Sequence, residues 1–116
     1  GHPKPLLRRA SGGCEELEGQ GLPLGVDRGA RFAAALEEQE AQLEAGDVLL
    51  LYTDGVIEAG PASSQFGLER LKEAALKAPL AGTAREFLDS VTGALDGFLA
   101  GGPFGDDVTI VCLKIR

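Results

Sequence analysis

The chain has 116 residues, and its 18 Asp plus Glu outweigh 11 Lys plus Arg for a net charge of −7, a surface that repels phosphate backbones and argues against sequence-independent nucleic-acid binding. One tyrosine, five phenylalanines and no tryptophan leave few rings on which bases could stack. The hydrophobic fraction of 44% is an ordinary globular balance, but no apolar run is longer than that from Val48 to Tyr52, far short of the roughly 20 residues of a membrane span, and no apolar secretory segment follows a basic start.

The first 30 residues are punctuated by Gly and Pro. Leu6 to Arg9 and Cys14 to Leu17 flank Ser11-Gly12-Gly13, which predicts two short strands joined by a turn. Gly21-Leu22-Pro23-Leu24-Gly25-Val26 is a stiff, kinked connection. From Ala30 to Ala45 good helix formers dominate. Yet Ala45-Gly46-Asp47 reads as a turn, and Val48 to Thr53 is a buried strand by composition. A strand that apolar needs partners on both sides, and the preceding segment is the nearest candidate in hairpin geometry across Gly46. A strand is therefore expected at about Arg31 to Gln39, against local propensity.

Leu68, Leu71, Ala75 and Leu76 recur at helical spacing, and Pro79 closes that segment. Thr83 with Glu86 makes a capping box. It opens a helix whose stripe is Phe87, Leu88, Val91, Ala94, Leu95, Phe98 and Leu99, ended by Gly101-Gly102-Pro103. Val108 to Ile115 is β-rich and reads as an inner strand. Strands, a helix pair and one returning strand indicate the α+β class in one compact unit. With no methionine and Gly1-His2-Pro3 at its start, the chain is expected to be a fragment or a processed product. Cys14 and Cys112 form no Cys-x-x-Cys and have no histidine at metal spacing, so they read as buried free thiols of a reducing cytoplasm. The lone His2 cannot build a histidine metal site by itself.

Chemistry concentrates in two places. Tyr52-Thr53-Asp54-Gly55 follows the apolar strand, with a glycine that lets the backbone turn sharply. Gly105-Asp106-Asp107-Val108-Thr109 precedes the last strand. If these strands pair antiparallel, Asp54, Asp106 and Asp107 gather at one edge of the sheet, where they repel unless a cation neutralises them. Oxygen-only ligands favour Mg²⁺ or Mn²⁺ over zinc. As isolated patterns, the same residues read equally as turn chemistry.

The ordered series decides further. Gly1-His2-Pro3, Leu22-Pro23-Leu24-Gly25, Gly46 to Ala59, Phe66-Gly67 with Leu71, and Gly105 to Thr109 together resemble the C-terminal part of the metal-dependent protein phosphatase (PPM, 2C-like) superfamily. The branch is the bacterial stage II sporulation E-like, RsbU-like one, and the resemblance spans residues 1–116 as the C-terminal portion of a single phosphatase domain. It implies an αββα sandwich, antiparallel β-sheets flanked by helix pairs, with strands across residues 31–53. It implies that Asp54 and Asp106 are metal ligands, with Asp107 and Gly55 in supporting positions; Glu58 and His2 also match family positions, but Glu58 is read as structural and His2 is given no catalytic role. It further implies hydrolysis of a phosphomonoester assisted by two Mn²⁺ or Mg²⁺ ions that activate a shared water, with no protein nucleophile. The implied substrate is a phosphoserine or phosphothreonine protein such as an anti-anti-sigma factor in partner-switching control. An upstream sensor or receiver domain would be typical.

The family's other essential acidic residues lie upstream of the position matched by Gly1: one on an early strand, and one in an Asp-Gly that bridges both metals. This chain by itself is accordingly expected to be inactive. The alternative is a non-catalytic binding module that keeps the fold and has lost the metal site.

Overall fold

The computed structural model describes residues 2–27 and 29–116. In chain order it contains strands β1 (Leu6–Arg8) and β2 (Cys14–Glu16), helix α1 (Ala30–Ala35), strand β3 (Val48–Tyr52), helices α2 (Asp54–Ile57), α3 (Gly67–Lys77) and α4 (Ala84–Leu99), and strand β4 (Ile110–Lys114). The four strands form one antiparallel sheet in the order β2-β1-β3-β4. Helices and an antiparallel sheet in one unit are the α+β class that the sequence indicates.

β3 forms because five consecutive apolar residues suit a strand with neighbours on both sides. Its alternate residues Val48, Leu50 and Tyr52 are buried, while Leu49 and Leu51 are half-buried on the opposite face. One neighbour is β4, paired from Val48↔Lys114 to Tyr52↔Ile110. The other is β1, paired from Leu6↔Leu50 to Arg8↔Val48. This corrects the expectation of a strand at Arg31 to Gln39. With β1 already seated beside β3, no ladder remains for that segment, and its Ala-rich start follows its own propensity into α1. Residues 36–45 have no regular structure.

α3 and α4 cover the face of the sheet that carries Leu6, Leu50 and Tyr52. Phe87, Val91 and Leu95 of α4 and Leu71 and Ala75 of α3 complete the core. The capping box is present as expected, with Glu86 N–H donating to the Thr83 hydroxyl and Thr83 N–H donating to the Glu86 carboxylate. α4 stops at Ala100, which takes a left-handed φ of 49° before Gly101. Lys114 Nζ donates to the carbonyls of Leu80 and Gly82, tying the end of β4 to the connection between α3 and α4.

Asp47 is a buried acid at the start of β3. Its carboxylate accepts from Ala10 N–H at 2.8 Å, Glu44 N–H at 3.0 Å and the Arg9 guanidinium at 3.0 Å. Arg9 also donates to the Gln42 carbonyl at 2.7 Å and to Glu15 at 2.8 Å. The hairpin of β1 and β2 is thus locked to the turn that precedes β3. Those donors, with the Ala10 amide foremost, hold the Asp47 carboxyl below its ordinary value.

The other sheet face carries Leu49, Leu51, Val111 and Leu113, the last two 45% and 47% exposed. β4 was expected to be an inner strand, but among the described residues it lies at the sheet edge. Its apolar composition therefore reflects a face left open by these elements, and not burial on both sides.

Two outcomes follow from this architecture. The open face and free edge favour concentration-dependent self-association, and sedimentation velocity should show Val111→Lys combined with Leu113→Lys reducing it. Asp47 has a depressed folded pKa, so its contribution is present above the ordinary carboxylate range and is lost as pH falls through its folded value. Thermal melts should therefore drop in midpoint below about pH 4. Asp47→Asn should melt lower at pH 7 and show a flatter acid decline.

Candidate metal site

The β3–β4 register places the end of β3 beside the start of β4. Tyr52↔Ile110 is the last ladder pair, and just beyond it lie the two acidic turns. On the first, Thr53 is extended and α2 begins at Asp54, a single helical turn closed by Glu58 N–H donating to the Asp54 carbonyl at 2.9 Å. On the second, Gly105 and Asp106 form a bend at the end of the Gly-rich connection from α4, and Asp107 follows directly.

Gly55 is where the two turns touch. A Cβ placed there would lie 2.4 Å from the Asp107 carbonyl oxygen and 3.4 Å from the Asp106 carbonyl carbon. Only a residue without a side chain permits this approach. The Asp54 carboxylate accepts from Gly55 N–H at 3.0 Å, and the Asp106 carboxylate accepts from Asp107 N–H at 2.7 Å. Asp54, Asp106 and Asp107 are all exposed.

Tyr52, the neighbour of this edge within the core, has its phenol pushed up to about 12 by burial. It stays protonated at any ordinary pH and is no candidate base. Both thiols are free and half-buried, a lesser burial than the sequence suggests, and burial pushes them up. His2 is exposed and lines a cleft of 390 Å³ with Leu51, Thr53, Thr109 and Val111, on the open face next to the acidic edge. A larger cleft of 950 Å³, along Gly19 to Leu24, includes none of the three aspartates.

The donor set is carboxylate and carbonyl oxygen, exposed and gathered at one sheet end, which fits a hard cation such as Mg²⁺ or Mn²⁺. It is also incomplete: among the described residues, no three His, Cys, Asp or Glu side chains converge as a metal site. The residue that sequence reasoning passed over is Thr53, whose hydroxyl bonds to the second turn. A hydroxyl residue closing an otherwise apolar strand is the signal that could have marked it.

Solved structures share this fold. The chain is 28% identical to the RsbU and RsbW domains of Rv1364c from Mycobacterium tuberculosis, with a TM-score of 0.72 over 100% of this chain and 30% of that one. It shares the fold of the SiaA-PP2C domain of Pseudomonas aeruginosa at 18% identity and a TM-score of 0.70, covering 99% of this chain and 44% of that one. The Mn-presoaked phosphatase domain of the cell-fate determinant SpoIIE from Bacillus subtilis gives 20% identity and a TM-score of 0.66, over 100% of this chain and 48% of that one. No curated protein sequence matches. Residues 1–116 match the sequence model of the family described as stage II sporulation protein E (SpoIIE), and the chain belongs to that family. It spans between 30% and 48% of the length of these three structures.

Because Gly55 is in contact with the facing turn, Gly55→Ala must push Asp106 and Asp107 outward. A loss of about 1–3 kcal/mol in urea unfolding is expected, with faster hydrogen exchange at the Thr109 amide.

Proposed function

We propose that this chain is the C-terminal portion of a PPM-type phosphatase domain. The proposed activity is Mn²⁺- or Mg²⁺-dependent hydrolysis of phosphoserine or phosphothreonine in a regulatory protein. The observation that carries the reading is the meeting of the Asp54 turn with the Asp106–Asp107 turn at Gly55, in a chain of the SpoIIE family.

In this reading Asp54 and Asp106 hold the cation. Asp107 and Gly55 support them, the first by its backbone contacts and the second by letting the turns meet. When bound, the divalent ions supply charge neutralisation for the phosphoryl group and an activated water. The chain's own residues hold the carboxylates at a fixed sheet end and bring no side-chain nucleophile to it. Because these carboxylates are only part of a two-ion set, the chain alone is proposed to be inactive, with the remaining ligands supplied by the rest of the domain.

The substrate best suited to the family's RsbU-like likeness is an anti-anti-sigma factor in partner-switching signalling, with a sensor or receiver domain controlling the phosphatase. The acidic surface is unsuited to nucleic acid. No helix among the described residues is long and apolar enough to cross a membrane, and two free thiols suit the cytoplasm.

The test is phosphate release from a phosphoserine protein by a complete phosphatase domain containing this chain. Mn²⁺-dependent turnover should fall by at least about 100-fold in Asp54→Asn and in Asp106→Asn, more than loss of a supporting partner costs. Turnover indifferent to Asp54 would remove the site assignment. A folded, metal-saturated domain with no turnover would favour the non-catalytic binding module.

A further inference from the structure

The stretch that carries Asp106 and Asp107 has little to hold it. It follows Gly101-Gly102-Pro103-Phe104-Gly105, residues 101–107 are all exposed, and the ladder with β3 starts only at Ile110. Within the interval Val108 packs against the core, and one polar side chain bridges it. The Thr53 hydroxyl accepts from Thr109 N–H at 3.0 Å and donates to the Asp107 carbonyl at 3.0 Å. Thr53 N–H also donates to the Thr109 carbonyl at 3.1 Å, so Thr53 grips both sides of Val108.

A hydroxyl can donate and accept at once. A methyl in the same place would leave one N–H and one carbonyl to find other partners. Thr53 also precedes Asp54 directly, so its backbone sets one acidic turn while its side chain sets the other. Without that grip, the glycine-rich connection would have to be ordered each time a cation bound, and the ordering cost would be subtracted from affinity.

We infer that Thr53 is a positioning residue, whose hydroxyl fixes Asp106 and Asp107 against Asp54 and thereby sets the affinity of this edge for a divalent cation. The inference rests on the metal-dependent reading above, and extends it to a residue outside the ligand set.

The test uses a complete phosphatase domain containing this chain, with Mn²⁺ alone as the probe, followed by amide NMR, where bound Mn²⁺ broadens nearby signals. In the wild type, the amides of Asp54, Gly55 and residues 106–109 should broaden first. Thr53→Val keeps the shape and removes the hydroxyl. It should need at least about 10-fold more Mn²⁺ for the same broadening, the scale of loss for a partner that orients a ligand. Thr53→Ser should titrate like the wild type. If Thr53→Val does not fold, Thr53→Ala against Thr53→Ser is judged by the same criterion.

A hydroxyl-free variant that titrates like the wild type overturns the inference, as does a serine variant as weak as the valine one. Wild-type amides at these positions that ignore Mn²⁺ overturn it as well. Loss of turnover in the complete wild-type domain, with the hydroxyl-dependent Mn²⁺ response intact, would instead remove the phosphatase reading and leave the positioning role standing.

Discussion

The antiparallel pairing of β3 with β4 is the constraint on which the rest depends. Residues 54 and 106 are far apart in the chain, and the whole α3–α4 pair lies between them. The ladder from Val48↔Lys114 to Tyr52↔Ile110 brings their turns together. Helices α3 and α4 contribute none of the three aspartates at that edge. They bury the face that carries Leu50 and Tyr52, and in doing so fix the sheet whose end the edge occupies.

The two ends of this pairing are built differently. At the end marked by Asp47, an acid is taken out of water and satisfied by donors from the β1–β2 turn and from Glu44. At the other end the acids stay exposed, and Asp54 and Asp106 each accept from the amide that follows in the chain. A buried carboxylate with several internal donors contributes to stability as long as it remains charged. An exposed carboxylate next to another remains available to a cation. Local environment alone separates a structural aspartate from a candidate ligand, although both follow or precede the same strand.

Much of this was legible from residue pattern. The apolar run of β3, the Thr83–Glu86 box, the stripe from Phe87 to Leu99 and the β1–β2 hairpin each have a local cause, and each appears where that cause predicts. The juxtaposition of the acidic turns followed from the antiparallel pairing of two recognisable strands. What escaped was non-local. Nothing near residues 31–39 announces that β1, some 40 positions before β3, takes the place beside it. The Arg9–Asp47 contact is equally distant in sequence. β4 looks like an inner strand because Val111 and Leu113 are apolar, and composition cannot tell a buried face from an open one. The only mark of the Thr53 hydroxyl in sequence is its place at the end of an apolar strand, where threonine is also an ordinary β-former, and its partners are backbone atoms.

β3 occupies the whole interval between Asp47 and Thr53, five residues long. Side chains alternate along it, so one residue added or removed would turn every later position to the opposite face. Tyr52 would leave the core, and the Thr53 hydroxyl would turn away from residues 107–109. The segment therefore acts as a ruler with a fixed parity. Its apolar side chains can be exchanged for others of similar bulk, but its length is set at both ends by chemistry, by a buried carboxylate on one side and a hydroxyl on the other.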